Sequence, residues 1–410
     1  MSAINAVDAA FRGEWSQLVA TLVRDLGDLS LAEDVASEAF VEASSRWHRD
    51  GIPRRPGAWL LTTARRKAID RIRRDRRFDD RREELTRLAE DPPEVPAEKL
   101  LDDQLALIFG CCHPALAPDA QVALTLRYVA GLSTAQIARA FLVPEATMAK
   151  RLVRAKRKIS AAAVPIEIPE RDRIAERLTA VCGVVYAVFT EGHASASGTA
   201  LLRGSLCDEA LFLADTLVEL LPDAPQVREL RALCRLTDAR RATRVDDDGL
   251  PVLLRDQDRS RWDRSKIEGG LADLATAQAL TSGGSASPYG PMAMLAGVHA
   301  AAPCYESTNW TAIVAVYDTM IRRDPNPVLA LNRAAAIAER DGPEAGLAAI
   351  DAADPHGALA TYHYFHGARA DLLARLDRTE EAVAAYTAAI ECCDNDADRR
   401  WLESRRAELT

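Results

Sequence analysis

The sequence holds few side-chain groupings that make or break covalent bonds. It has no Ser/His/Asp order, no glycine-rich phosphate loop and no HExxH helix, so it reads as a non-enzyme. Cys111-Cys112-His113 has metal-ligand atom types but no second ligand pair at useful spacing, and reads as a packed helix end. His363 and His366 stand one turn apart in YHYFHGARADLL and read as packing or surface residues; no metal and no cofactor is expected. The chemistry that stands out is cationic. In ARRKAIDRIRRDRR (64–77) eight of fourteen residues are Lys or Arg, although the chain carries a formal charge of −9. Residues 147–160 hold six more bases and no acid. Only six of the 52 basic residues are Lys, so most cations are planar forks suited to phosphate and guanine.

These cations need rigid elements to aim them. In LSTAQIARAFLVPEATMAKRLVRAKRKI (132–159), Ser133 and Gln136 form a capping box that starts a helix over roughly 134–141. The turn Leu142-Val143-Pro144 leads to a second helix whose buried stripe is Met148, Leu152, Ala155 and Ile159. Lys150, Arg151, Arg154 and Lys158 fall mostly away from that stripe. This is a helix-turn-helix with a basic second helix, the arrangement that enters the major groove of DNA. The other basic run belongs to AWLLTTARRKAIDRIRRDRR, with Leu61, Ala64, Ala68 and Ile72 as its apolar stripe. It follows the loop HRDGIPRRPG (48–57) and an acidic helix, LAEDVASEAFVEASSRW (31–47), started at Asp28-Leu29-Ser30. There Leu31, Val35, Ala39 and Ala43 face inward and leave Glu33, Asp34, Glu38 and Glu42 to solvent.

The sequence divides at two linkers. Residues 1–77 form one helical domain and 78–103 an acidic, proline-bearing linker; residues 104–163 carry the helix-turn-helix. A short linker, 164–170, leads to a helical extension over 171–410. Residues 1–160 have 26 basic and 23 acidic residues, a net of +3; the other 250 have 26 and 38, a net of −12. That asymmetry suggests a nucleic-acid-facing part joined to an acidic part with another task. Two basic helices on one chain also raise each other's effective concentration at DNA. The opening MSAINAVDAAFRGEW has no basic segment leading an apolar core, so no signal peptide is expected. The apolar run LTAVCGVVYAVFT (178–190) is too short for a bilayer, and eight Cys without CxxC spacing suit a reduced cytoplasm.

The segment from LAEDVASEAF to DRIRR resembles conserved region 2 of the extracytoplasmic-function (ECF) sigma factors of the sigma-70 family. QVALTLRYVAGLSTAQIARAFLVPEATMAKRLVRAKRKI resembles region 4. YAVFTEGHASASG, LCDEALFLADTL, DQDRSRWDR and IFGCCHPALAP resemble the group with a long tetratricopeptide-like (TPR-like) C-terminal extension. The resemblance implies an all-α fold and two partners, core RNA polymerase and promoter DNA. Glu33, Asp34 and Glu38 would dock on polymerase. Arg65, Arg66, Arg71, Arg73 and Arg74 would bind the −10 region, and the loop His48 to Gly57 would capture a flipped base. Thr147, Lys150, Arg151, Arg154 and Lys158 would read or grip the −35 element. Ala146 stands where most relatives have Gly.

Trp47 and Trp59 flank the loop; Trp59 reads as core, while Trp47 is open between core and stacking on an unpaired base. In the extension, Ala370, Leu373, Ala382, Tyr386 and Ala389 fall at the small and aromatic positions of a tetratricopeptide helix pair, with a weaker copy at 326–355. DQDRSRWDR (256–264) reads as an Asp–Arg ion-pair network rather than a binding surface. The expectation is a cytoplasmic, non-membrane ECF sigma factor whose extension contacts the sigma domains and controls their access. The alternative is a helix-turn-helix regulator with a TPR sensor domain that binds duplex DNA without polymerase.

Overall fold

The computed structural model describes residues 3–72, 97–141, 143–161, 164, 166–194, 201–282, 287–353 and 357–410. Among these, regular structure is helical apart from short 3₁₀ turns and an isolated bridge between Val245 and Pro251. The chain forms two compact units, residues 1–188 and 189–410.

In the first unit, α1 (Ala3–Leu26), α2 (Leu29–Asp50) and α3 (Pro56–Ile72) pack together. Asp28 starts α2 as its cap, accepting the Ser30 and Leu31 amides at 2.8 Å. The buried face of α2 carries Val35, Ala39 and Ala43 as expected, but also Glu33, while Leu31 is only half-buried. On α3 the inward stripe begins at Leu60 rather than Leu61 and continues through Ala64, Ala68 and Ile72, with Arg65 beside it. Then follow α4 (Ala97–Cys111), α5 (Pro118–Tyr128), α6 (Thr134–Ala140) and α7 (Glu145–Ala161). The last seven residues assigned to the acidic linker are helical and belong to α4, where Asp103 is buried against Arg24 of α1. Most of that linker, 78–96, lies outside the described residues. Gly131, in the turn before α6, has φ +75°, and a Cβ there would stand 2.9 Å from the Phe11 ring and 3.0 Å from Trp15. Only glycine suits both the turn and that aromatic wall.

The helix α8 (Arg171–His193) carries the chain into the second unit. Its apolar run buries Leu178, Val181, Val185, Val188 and Phe189. No described helix is long and apolar enough to cross a membrane. Its early turns still belong to the first unit, where Arg177 donates to the Phe109 carbonyl at 2.5 Å.

The second unit continues with α9 (Gly204–Leu220), α10 (Pro225–Asp238), α11 (Arg264–Leu280) and α12 (Tyr289–Ala301). Asp273 of α11, nearly inaccessible, gathers Arg231 and Arg235 of α10, and Asp215 of α9 bridges the same two arginines. Six further helices complete it: α13 (Trp310–Arg323), α14 (Pro327–Asp341), α15 (Pro343–Ala353), α16 (His363–Arg375), α17 (Thr379–Glu391) and α18 (Asp396–Ala407). Neighbouring helices pack in sequence, and Ala370, Leu373, Ala382, Tyr386 and Ala389 are all fully buried in one core with Leu331, Leu347 and Ile350. Gly346 brings α15 onto α14 so closely that a Cβ would lie 2.2 Å from the Ala338 Cβ. Gly346→Ala is therefore expected to lower stability by about 1–3 kcal/mol through overpacking, read as a reduced midpoint in thermal unfolding of the full chain.

Candidate nucleic-acid interface

The helix-turn-helix forms as its sequence dictates. The Gln136 amide donates to the Ser133 hydroxyl at 3.2 Å, and the Ser133 amide donates to the Gln136 side-chain oxygen at 2.8 Å. The Pro144 carbonyl accepts the Thr147 and Met148 amides, starting α7 one residue beyond the proline. Met148, Leu152, Ala155 and Ile159 are the buried face of α7. Lys150, Arg154 and Lys158 are exposed on the other side, and Thr147 and Arg151 are half-buried at its border. Arg151 reaches Asp119 of α5 at 3.4 Å, an open surface pair of small energetic weight.

The acidic and basic helices of residues 29–72 meet each other. Arg71 of α3 donates to Asp34 at 2.7 Å and to Glu38 at 2.5 Å, and Lys67 lies 2.8 Å from Glu42. Arg66 is exposed. Arg73 and Arg74 lie outside the described residues. Arg65 corrects an expectation: it is 1% exposed, with Nε and Nη2 donating to the Asp25 carboxylate of α1 at 3.0 and 2.8 Å. A guanidinium so enclosed ties α3 to α1 and presents nothing to a phosphate.

Glu33 corrects a second expectation. Rather than facing solvent it is 7% exposed and pairs with residues of the helix-turn-helix half. Its Oε1 accepts from Arg127 Nε at 2.6 Å, its Oε2 from the Tyr128 hydroxyl at 2.9 Å, and Lys156 Nζ stands 3.7 Å away. Burial and the Glu33 carboxylate hold the Tyr128 phenol far above its usual range, so it remains a donor. Arg127, Tyr128 and Lys156 carried no sequence signal for this role, because they pair with a residue about a hundred positions earlier.

The loop between α2 and α3 is flanked by a ring pair, Trp47 and Trp59, with centroids 5.6 Å apart and edge to face. Trp47 is buried, which settles it as core, and Trp59 is half-buried against it. Cys111 and Cys112 are buried at the end of α4, where burial pushes the Cys112 thiol up to about 11.

Comparison with known proteins matches residues 14–78 to the model of Sigma-70 region 2 and residues 106–159 to that of Sigma-70, region 4. The chain carries regions 2 and 4 of a sigma-70 family sigma factor. Residues 177–278 of this sigma factor match a third model, a family of unknown function, DUF6596. An uncharacterized protein of Rhizobium meliloti (strain 1021) is 39% identical over 416 residues, 98% of this chain and 96% of the other. ECF RNA polymerase sigma factor SigK of Mycolicibacterium vanbaalenii is 34% identical over 106 residues, 25% of this chain and 54% of its own. The probable ECF RNA polymerase sigma factor SigI of Mycobacterium tuberculosis (strain H37Rv) is 27% identical over 183 residues, 43% and 62% of the two chains. The two named relatives are thus matched over less than two thirds of their lengths. No solved structure matches the chain. The region 2 match takes in α2, α3 and Arg65, and the region 4 match ends with the buried Ile159 of α7, so the Glu33 cluster joins the two regions of this sigma factor.

Proposed function

We propose that this sigma factor directs core RNA polymerase to a class of promoters, contacting the −35 element through region 4 and the −10 element through region 2. The observation that carries the reading is the α7 face, where Lys150, Arg154 and Lys158 stand exposed opposite a fully apolar buried stripe. Thr147 and Arg151 border that face and would complete the −35 contact. For the −10 element, Arg66 is open, Arg71 would exchange Asp34 and Glu38 for phosphate, and Arg73 and Arg74 extend the same basic run. Asp34, exposed, and Glu38, half-buried, would meet polymerase by exchanging their bonds to Arg71, whereas Glu33 would act on it only after leaving Arg127 and Tyr128. The protein works in the cytoplasm with core polymerase and is not itself an enzyme. The acidic second unit, on this reading, modulates access to regions 2 and 4.

Run-off transcription with core polymerase and a promoter library tests the reading. Specific transcripts are expected from the full chain. Duplex binding without transcripts would replace this reading with that of a polymerase-independent regulator. Arg154→Ala is expected to weaken promoter binding by about 1–3 kcal/mol and relax preference at one −35 position. Lys158→Ala should weaken all duplexes alike and lower the salt dependence by about one ion. Fluorescence anisotropy on promoter and scrambled duplexes separates the two effects.

A further inference from the structure

The second unit contains two adjoining cavities that promoter binding does not use. The larger, about 730 Å³, is lined by His193, Arg240, Arg244, Tyr305, Tyr362 and Trp401 among others. The smaller, about 350 Å³, is mostly apolar, with Leu233, Leu236, Met292, Leu295 and Met320 on its walls. Arg240, Leu254 and Asn332 line both, so the polar cavity opens beside the apolar one.

Two arginines near these cavities are engaged by acids. Arg255 holds Asp371, and Arg241 holds Asp238. Arg240 and Arg244 differ. Among the described residues the Arg240 guanidinium makes no hydrogen bond or ion pair, and the Arg244 guanidinium donates only to the backbone carbonyl of His193. Burial and the charges of Arg244 and Arg259 push Arg240 down to about 9. His193 is buried among the same cations, which, after burial itself, push its imidazole down to about 2, so it is neutral. Among the described residues its buried Nδ1 has no partner. The remaining acid on the wall, Asp398, accepts from the Tyr364 hydroxyl at 3.1 Å. A cation is a poor occupant beside His193, since Asp238, whose carboxylate lies within 4.8 Å of the His193 ring nitrogen, is already held by Arg241 and Lys266.

Unpaired guanidinium groups in a recessed wall are costly, and an anion relieves that cost. An apolar chamber reached past one of them would accept the rest of the same molecule. We propose that the double cavity binds a small organic oxyanion, a carboxylate or phosphate monoester. Its charged end is held by Arg240 and Arg244, and its apolar body occupies the chamber of Leu233, Leu236 and Met292. The site makes the second unit a receptor for an amphiphilic anion, whatever that unit does to transcription.

Thermal-shift and calorimetric titration of the full chain with sodium octanoate, octyl phosphate and inorganic phosphate tests this. At least one octyl compound should raise the unfolding midpoint in a saturable way; which one does identifies the head group. Inorganic phosphate should bind at least tenfold more weakly. Arg240→Met should lose at least tenfold in affinity while unfolding no earlier than the parent, because the fork it removes has no partner among the described residues. Ala296→Trp, which fills the apolar chamber, should weaken the octyl compound and leave inorganic phosphate unchanged. The proposal is overturned if neither octyl compound binds, if Arg240→Met binds as well as the parent, or if inorganic phosphate matches octyl phosphate.

Discussion

Glu33→Ala is expected to destabilise the first unit by about 3–5 kcal/mol, since it removes one side of a buried ion pair and leaves the other in place. Arg127 would keep a single bond from Nη1 to the Leu132 carbonyl at 2.8 Å. The Tyr128 hydroxyl, on a fully buried ring, would lose its acceptor altogether. Both losses fall where region 2 meets region 4, so the weakened element is the contact between regions rather than either hydrophobic core. Thermal unfolding of the full chain should show an early transition for Glu33→Ala. Glu33→Gln should be milder, because a neutral amide still accepts from Tyr128 but gives up the charge–charge attraction with Arg127 and Lys156. Asp34→Ala, at an exposed carboxylate paired on the surface, should cost about 1 kcal/mol or less. A melt in which Glu33→Ala and Asp34→Ala behave alike would show that the buried cluster does not hold the regions together. The same pair of variants bears on polymerase: Asp34→Ala should weaken core binding directly, whereas Glu33 is enclosed in the folded protein.

What could be read from the sequence was whatever depends on neighbours within a few residues. The Asp28 cap, the Ser133–Gln136 box and the stripe Met148, Leu152, Ala155, Ile159 are set by spacing of three or four, and each forms as read. The five tetratricopeptide positions from Ala370 to Ala389 share that origin and are all buried. Helical spacing cannot say which polar residue at the edge of a stripe turns inward. Glu33 and Arg65 both sit at such edges, and the partners that draw them in, Tyr128 and Asp25, lie 95 and 40 residues away in sequence. The basic run 64–77 shows the consequence. Its eight cations looked equivalent, yet Arg65 is a core group, Lys67 and Arg71 are paired to α2, and Arg66 is open. Nor does any local pattern reveal that the Arg240 guanidinium lacks a partner among the described residues while that of Arg241 beside it has two, Asp208 and Asp238.

DQDRSRWDR gives the second large effect. Its alternating charges suggested an Asp–Arg network, but the structure uses them singly. Asp258 caps the 3₁₀ turn Arg259–Arg261, and Asp263 caps α11 through the Lys266 amide at 3.1 Å. Arg259 is the buried member. Its Nη1 donates to the carbonyls of His299 and Ala302 at 2.7 and 2.8 Å, its Nη2 to the Thr308 hydroxyl at 3.2 Å, and its fork lies 4.8 Å from the Trp262 ring centre. Trp262 is fixed in turn by its indole N–H on the Thr243 hydroxyl at 3.0 Å. Arg259→Ala is therefore expected to cost about 3–6 kcal/mol, the sum of the two charge-assisted bonds to carbonyls at about 1.5–3 kcal/mol each with the acceptors left buried. Arg259→Lys should recover less than half, because one ammonium cannot span two carbonyls and a hydroxyl from the place of a planar fork. The two explanations part on salt. An ion-pair network would weaken as ionic strength rises, whereas bonds to carbonyls would not, so the parent's advantage over Arg259→Ala should be the same in 0.05 and 0.5 M salt. A gap that shrinks with salt would restore the Asp–Arg network as the reason for the motif.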